Sequence, residues 1–305
     1  MPRFIHICSV LIAICFVVTF QACERNHKEE KKIATLKHAA EQGDVKAQYD
    51  LGVTYTALKV DVEAAKWYHL AAEQGDAKAQ LSLGEIYYHG RGVDLDYTEA
   101  LKWIRKAAEQ ENTQAQYSLG EMYRLGHGVD LDYTEALKWI RKAAEKGNAD
   151  AQYILGVMYS THGQGLNQDD AESEKWIRKS AEQGNATAQV TLGFMYARYK
   201  EKSQEGMNWI RKAAEQGDAS GQGMLGAMYA DGVGIPRSYR KAAKWHRKAA
   251  EQGLVPSQFT LGKMYYIGRG VRRSNKEAAK WWRLAAEQGY DPARKALSDM
   301  EHGRR

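Results

Sequence analysis

Apolar and small residues recur along this chain in two alternating helical patterns. In the first, Gln116, Leu119, Gly120 and Tyr123 stand at i, i+3, i+4 and i+7, which is one face of a helix. The same Leu-Gly-x-x-Tyr spacing recurs at Leu51/Gly52/Tyr55, Leu83/Gly84/Tyr87, Leu155/Gly156/Tyr159, Leu192/Gly193/Tyr196, Leu225/Gly226/Tyr229 and Leu261/Gly262/Tyr265. The second pattern carries one recurring Trp per copy, at Trp67, Trp103, Trp139, Trp176, Trp209, Trp245 and Trp281. It closes on Ala-Glu-Gln-Gly or a near copy, whose last residue is Gly43, Gly75, Glu111, Gly147, Gly184, Gly217, Gly253 or Gly289. The interval between these closures stays within 32 to 37 residues. Such a period describes small supersecondary units stacked on one another, each too small to bury its apolar face alone.

Helical punctuation frames both patterns. Asp44, Asp76, Asn112, Asn148, Asn185 and Asp218 precede the first segments and can cap their exposed N–H groups. Asp96 with Glu99, Asp132 with Glu135, and Ser274 with Glu277 have the spacing of capping boxes at the start of second segments. The closing Gly suits a left-handed residue ending a helix, and Glu111 in that place costs about 1 kcal/mol if the geometry is kept. Each unit is therefore predicted to be a pair of antiparallel helices, each of about 12–15 residues and about 20 Å long. Gly on the Leu-Gly face and paired Ala such as Ala107-Ala108 let the helices approach closely, with Tyr and Trp filling the remaining volume. Core packing accounts for these aromatic positions better than ligand stacking does.

A Gly-x-Gly loop joins the segments at Gly90/Gly92, Gly126/Gly128, Gly163/Gly165, Gly232/Gly234 and Gly268/Gly270. Leu-Gly-x-x-Tyr, Gly-x-Gly-Val, Ala-x-x-Trp and Ala-Ala-Glu-Gln-Gly together resemble the Sel1-like repeat, a longer-looped relative of the tetratricopeptide repeat. The resemblance covers residues 33–289 in seven copies: 44–75, 76–111, 112–147, 148–184, 185–217, 218–253 and 254–289. It implies an all-α solenoid, a right-handed superhelix with a concave inner face. Copies one and five lack the Gly-x-Gly loop, over 56–62 and 197–205, and are expected to turn more tightly. Residues 92–109 and 128–145 are identical, so those two units share one local structure. Residues 290–305, with Tyr290 and Leu297, are expected to add a capping helix and a frayed tail from 302.

The N-terminus is a separate object. Arg3 precedes an apolar run over 7–20, followed by Gln21, Ala22 and Cys23, the layout of an export signal over 1–22. Phe20-Gln21-Ala22-Cys23 resembles a bacterial lipoprotein box, which would make Cys23 a lipidated residue; a soluble secreted form and an uncleaved anchor are the alternatives. Residues 23–32 read as a polar tether, and Glu24 resembles the residue found in lipoproteins sorted to the outer membrane. All three cysteines, Cys8, Cys15 and Cys23, lie in this segment, so the repeats hold neither a disulfide nor a thiol nucleophile.

Charge narrows the surfaces. A column of Arg105, Arg141, Arg178, Arg211, Arg247 and Arg283 suggests a nucleic-acid rail, but a Glu follows each by four residues, from Glu109 to Glu287. Mutual neutralisation on a solvated face is the expectation, and nucleic acid is not an expected partner. Residues 218–305 hold 17 Lys and Arg against 8 Asp and Glu, a net of +9 where the whole chain has +6, so the remainder is −3. Arg237, Arg240, Lys241, Arg269, Arg272 and Arg273 form the densest part, a candidate dock for an anionic envelope component, with a solubilising terminal repeat as the alternative.

Catalytic motifs such as a P-loop, His-Glu-x-x-His or Gly-x-Ser-x-Gly are missing from the sequence, so no catalytic residue and no cofactor are assigned. His89, His127 and His162 lie near glycine loops, yet as surface residues rather than metal ligands; Asp94, Asp96, Asp130 and Asp132 lack calcium-loop spacing. The resemblance implies a non-enzymatic scaffold binding a protein or peptide on its inner face. Glu85, Tyr88, Glu121, Arg124, Lys263 and Tyr266, helix-one residues outside the repeating pattern, are the candidate contacts. Two alternatives stand beside it: β-lactam binding or hydrolysis as in cysteine-rich Sel1-like relatives, whose cysteine pairs these repeats lack, and a secreted host-directed effector or adhesion factor. The expected location is periplasmic, anchored by lipid to the outer membrane.

Overall fold

A computed structural model describes residues 31, 33–161, 167–197 and 200–303. The export segment with Cys23, most of the tether, and His162 with the Gly163/Gly165 loop lie outside these residues. Among the described residues the chain is all helical: α1 (33–41), α2 (Val45–Ala57), α3 (Asp61–Glu73), α4 (Ala77–His89), α5 (Tyr97–Glu109), α6 (Thr113–Leu125), α7 (Tyr133–Glu145) and α8 (Ala149–Ser160). Then follow α9 (Asp170–Glu182), α10 (Ala186–Ala197), α11 (Ser203–Glu215), α12 (Ala219–Asp231), α13 (Tyr239–Glu251), α14 (Val255–Ile267), α15 (Asn275–Glu287) and α16 (Asp291–Glu301). They form two compact units, divided within α7 after Lys142. None of the described helices is long and apolar enough to cross a membrane.

Local chemistry sets the helix ends. Asp44, Asp76, Asn112, Asn148, Asn185 and Asp218 each accept the backbone N–H three residues on, at 2.6–3.0 Å, and each such cap is worth about 1 kcal/mol. At the closures, Gly75 (φ 95°) and its equivalents are left-handed with open space around a would-be Cβ, so the requirement there is conformational and not steric. Glu111 keeps the same geometry at φ 65°. The capping boxes are only half formed. Asp96 accepts from Thr98 and Glu99 N–H, but Glu99 turns away to Lys102 Nζ and Trp103 Nε1. The reason is that Asp96 N–H already donates to Tyr87 O, a bond repeated from Asp132 to Tyr123, Asp169 to Tyr159, Ser238 to Tyr229 and Ser274 to Tyr265.

That bond closes each helix pair across its loop. Copy one makes it from Val60 to Tyr55 over a three-residue turn, in which Lys59 adopts φ 59°. In the longer loops the first glycine (Gly90, Gly126, Gly232, Gly268) is the left-handed C-cap of helix one. The second lets the loop touch backbone of the preceding repeat: a Cβ on Gly92 would lie 2.5 Å from Asp61 C.

Packing within a pair centres on the Leu-Gly glycine. A Cβ on Gly84 would sit 2.5 Å from Ile104 Cγ1, and Gly120 and Ile140, Gly156 and Ile177, and Gly193 and Ile210 meet in the same way. The residue after each recurring Trp thus fills the notch of its own repeat. Between repeats the fully buried glutamines take over. Gln80 Nε2 donates to Ala72 O at the end of α3 (3.1 Å), while Gln110 Nε2 donates to Gln80 Oε1 (2.8 Å). The arrangement recurs at Gln48/Gln74, Gln152/Gln183, Gln189/Gln216, Gln222/Gln252 and Gln258/Gln288. It adds a second hydrogen bond to a helix-end carbonyl that already accepts from the closing residue, as Ala72 O does from Gly75 N–H, and ties a repeat to the next, so losing one member strands a buried amide at about 1–3 kcal/mol.

The Arg column is corrected by the structure. Arg105 Nη2 donates to Tyr123 Oη in the following repeat (2.7 Å), and Arg178 and Arg247 donate likewise to Tyr196 and Tyr265. The neighbouring Lys lies over the Trp of its own helix, at 4.0–4.5 Å in Lys106/Trp103, Lys142/Trp139, Lys179/Trp176, Lys212/Trp209 and Lys248/Trp245. Arg105, Arg178 and Arg247 thus tie their repeat to the next, where a Glu four residues on was expected to neutralise them; Arg178 also pairs with Glu174, four residues before it, and with Glu205.

Candidate functional site

With the recurring residues absorbed into the array, the helix-one positions that vary remain. Two of them, one and four residues after the Leu-Gly glycine, project from each helix one. They hold Glu85 and Tyr88 in α4, Glu121 and Arg124 in α6, and Lys263 and Tyr266 in α14. All six are the sequence-predicted contacts.

In the first unit, Glu85, Tyr88 and Glu121 line one cavity of about 240 Å3 between α4 and α6. Its wall is completed by His89, Tyr117, Ser118 and Leu125, over Ile104 and Met122. Arg124 stands beside it, its Nε and Nη2 donating to both Glu121 oxygens at 2.7 and 2.8 Å. Burial pushes the Glu85 carboxyl above the ordinary carboxylate range, with Arg91 and His89 pulling back. Tyr88 is held in place from outside the cavity. Its Oη shares a 2.8 Å hydrogen bond with His127 Nδ1, and His127 stacks on Tyr97 with ring centres 4.5 Å apart. His89 packs edge-on against the same Tyr88. Two of the three loop histidines thus meet at one tyrosine, and among the described residues no group of three or more His, Cys, Asp or Glu could hold a metal ion.

In the second unit, Phe259, Lys263 and Ile267 form a ridge on α14 with a cavity on each side. One, about 250 Å3, is completed by Tyr266, Trp282, Ala296, Asp299 and Met300, so α16 supplies a wall as well as an end cap. The other, about 290 Å3, includes Asp231, Tyr239 and Arg269. Lys263, a predicted contact, and Arg269, a predicted dock residue, therefore share a cavity. The other dock residues are exposed: Arg237, Arg240 and Lys241 at the start of α13, and Arg272 and Arg273 before α15. Arg269 lies over Tyr239 at 4.8 Å and Lys241 over Tyr229 at 5.2 Å. Gly270 rests on the Tyr239–Arg240 backbone, which brings the second Arg group alongside the first. The first turn of α13 has no acidic residue, unlike α5, α7, α9, α11 and α15.

Tyr117 and Phe259 were not among the predicted contacts. Both stand immediately after the buried Gln, a position occupied by Tyr49, Leu81, Tyr117, Tyr153, Val190, Gly223 and Phe259 along the chain. That variability inside an otherwise regular pattern was the available signal.

The family model described as Sel1 repeat matches seven times, at 45–76, 77–112, 113–148, 149–185, 188–218, 219–254 and 255–290. The chain belongs to the Sel1 repeat family. Its fold is the all-α solenoid of helix pairs that the sequence predicts. Among solved structures it is similar to a protective antigen present in uropathogenic Escherichia coli strains displaying an SLR fold (36% identity, TM-score 0.77). The match covers 89% of this chain and 61% of that one, so this chain spans less than two thirds of that antigen. It is also similar to a Sel1 repeat protein from Oxalobacter formigenes (32% identity, TM-score 0.74, covering 79% of this chain and 99% of that one). No curated protein matches the chain. Sel1 repeat proteins are generally scaffolds for protein interaction, and their fold is typically non-catalytic.

Proposed function

We propose that this Sel1 repeat protein is a non-enzymatic scaffold of the bacterial envelope that binds a protein or peptide along its helix-one surface. The observation that carries this reading is a division of labour. The recurring Gln, Arg and Tyr are spent on contacts between helices and the recurring Lys on the Trp of its own helix, whereas the varying Glu85, Tyr88, Glu121, Lys263 and Tyr266 line cavities open to a ligand. A crosslinking pull-down from envelope extract tests it: a partner recovered by the wild type should be lost when Tyr88 and Tyr266 are both changed to Ala. Recovery of nothing, in conditions where a related array captures its partner, counts against the scaffold.

Export with lipidation at Cys23 is the accompanying proposal, supported by the lipoprotein-like sequence ahead of the repeats. Cys23→Ala should release the protein from membranes and abolish acyl labelling; retention in the membrane points to an uncleaved helix. The exposed Arg237, Arg240, Lys241, Arg269, Arg272 and Arg273 are proposed to meet an anionic envelope component. A second reading, exposure to a host, is favoured by the likeness to a protein described as a protective antigen. Protease accessibility of the repeats on intact cells separates it from a periplasmic role.

A further inference from the structure

The cavity between α4 and α6 differs from the two in the second unit in the kind of charge it presents. Glu121 is already paired by Arg124, with both side chains largely covered (19% and 24% exposed). Glu85 has no hydrogen bond or ion pair among the described residues, yet burial raises its carboxyl. A partly desolvated carboxylate that Arg91 and His89 influence through space but do not bind is a costly arrangement that a directly bound cation relieves. Its surroundings suit one kind of cation. Tyr88 and Tyr117 offer aromatic rings, Ser118 an additional polar group, and Ile104, Met122 and Leu125 an apolar floor and wall. A cation on an apolar stem can lay its methylenes on the floor, its charge against Glu85 and its flat face on a tyrosine.

The volume limits the choice further. At about 240 Å3 the cavity falls below the range of about 300–1,000 Å3 usual for small-molecule sites, and takes one long side chain rather than a separate ligand. Tyr88 is fixed from behind by His127 and Tyr97, so the ring does not have to be ordered on binding. Glu121 is clamped in place by Arg124 and leaves Glu85 as the charge to be met.

We infer that this cavity is a specificity pocket for a basic side chain of the partner, with arginine preferred over lysine because its planar guanidinium can both pair with a carboxylate and stack on tyrosine. The inference rests on the scaffold reading and names the chemistry of the residue that the scaffold selects. It also separates the two units: the first takes a cationic anchor, while in the second Lys263 and Arg269 stand with Asp231 in one cavity and Lys263 with Asp299 in the other.

The experiment pans a random peptide library on the full chain and measures retained peptides by fluorescence anisotropy against wild type and Glu85→Gln, a variant of equal size whose folding is checked by thermal melting. Peptides held at this pocket should share an Arg or Lys whose replacement by norleucine weakens binding by about tenfold or more, the scale of losing one partly buried charge pair. Glu85→Gln should weaken the parent peptide similarly and add little to the norleucine change. If Glu85→Gln is too unstable, Glu85→Arg against a peptide carrying Glu in place of the Arg must restore binding. Peptides that bind without a basic residue, or equally well to Glu85→Gln, overturn the pocket and leave the scaffold standing. Retention of no peptide at all overturns both.

Discussion

His246 makes the second unit sensitive to acid. It occupies the position after the recurring Trp, where Ile104, Ile140, Ile177 and Ile210 fill the glycine notch in other repeats. The ring is 5% exposed, packs against Gly226, and its Nδ1 shares a 3.2 Å hydrogen bond with Ser257 Oγ. Burial drives its pKa down to about 4, against a slight upward pull from Asp231. The unfolded chain, with an ordinary imidazole near pH 6.5, takes up the proton first. Stability is therefore fully present above about pH 6.5 and is lost as pH falls towards about 4. At about 1.4 kcal/mol per pH unit, the full loss is about 3 kcal/mol, and about 2 kcal/mol is gone by about pH 5. His246→Ile with Ser257→Ala restores the residue types that meet at this contact in repeat two, Ile104 with Ala115. Urea unfolding followed by Trp fluorescence at pH 7.5 and pH 5 should show the wild type losing about 2 kcal/mol more than the double variant. Other groups titrate in both proteins and cancel. Equal pH dependence would refute the assignment of a neutral, buried histidine.

Three further outcomes follow from the geometry of the array. Gly84→Ala should lower stability by about 1–3 kcal/mol in thermal melts, because the new methyl meets Ile104 and the Ala100 carbonyl; an unchanged melt denies the close approach. Glu111→Gly should raise stability by about 1 kcal/mol by relieving a left-handed non-glycine residue, and a loss instead means Glu111 contributes more than its backbone costs. Reversing Arg269, Arg272 and Arg273 to Glu should abolish cosedimentation with anionic vesicles at low salt; binding that persists removes the dock.

What could be read from sequence was whatever stays within one helix or at its ends. The Asp and Asn caps, the left-handed closures and the tight turn of copy one all depend on neighbouring residues, and all are found; residues 198–199 in the turn of copy five lie outside the described residues. Readings failed where the deciding partner lies in another helix. Arg105 was matched with Glu109 four residues on, but its hydroxyl acceptor is Tyr123 in the next repeat. Glu99 has capping-box spacing, yet the bond it would make is pre-empted by Tyr87 O across the loop. Gln116 and its equivalents read only as part of a helix face; the stacking adds their bridges, as of Gln80 to Ala72 O and Gln110. The candidate contacts are helix-one residues that escape the pattern, and the position after Gln, which holds Tyr117 and Phe259, escapes it in the same way.

Site-specific photocrosslinking in cells tests the central claim most directly. A benzoylphenylalanine placed at Ser118 or Tyr266, on the helix-one cavities, is compared with one at Lys102 or Lys138, on exposed positions of helix two. A scaffold that binds through helix one gives a discrete protein adduct from the first pair and none from the second. Adducts from the helix-two positions alone would place the partner on the other surface and contradict the assignment of function to the varying residues of helix one.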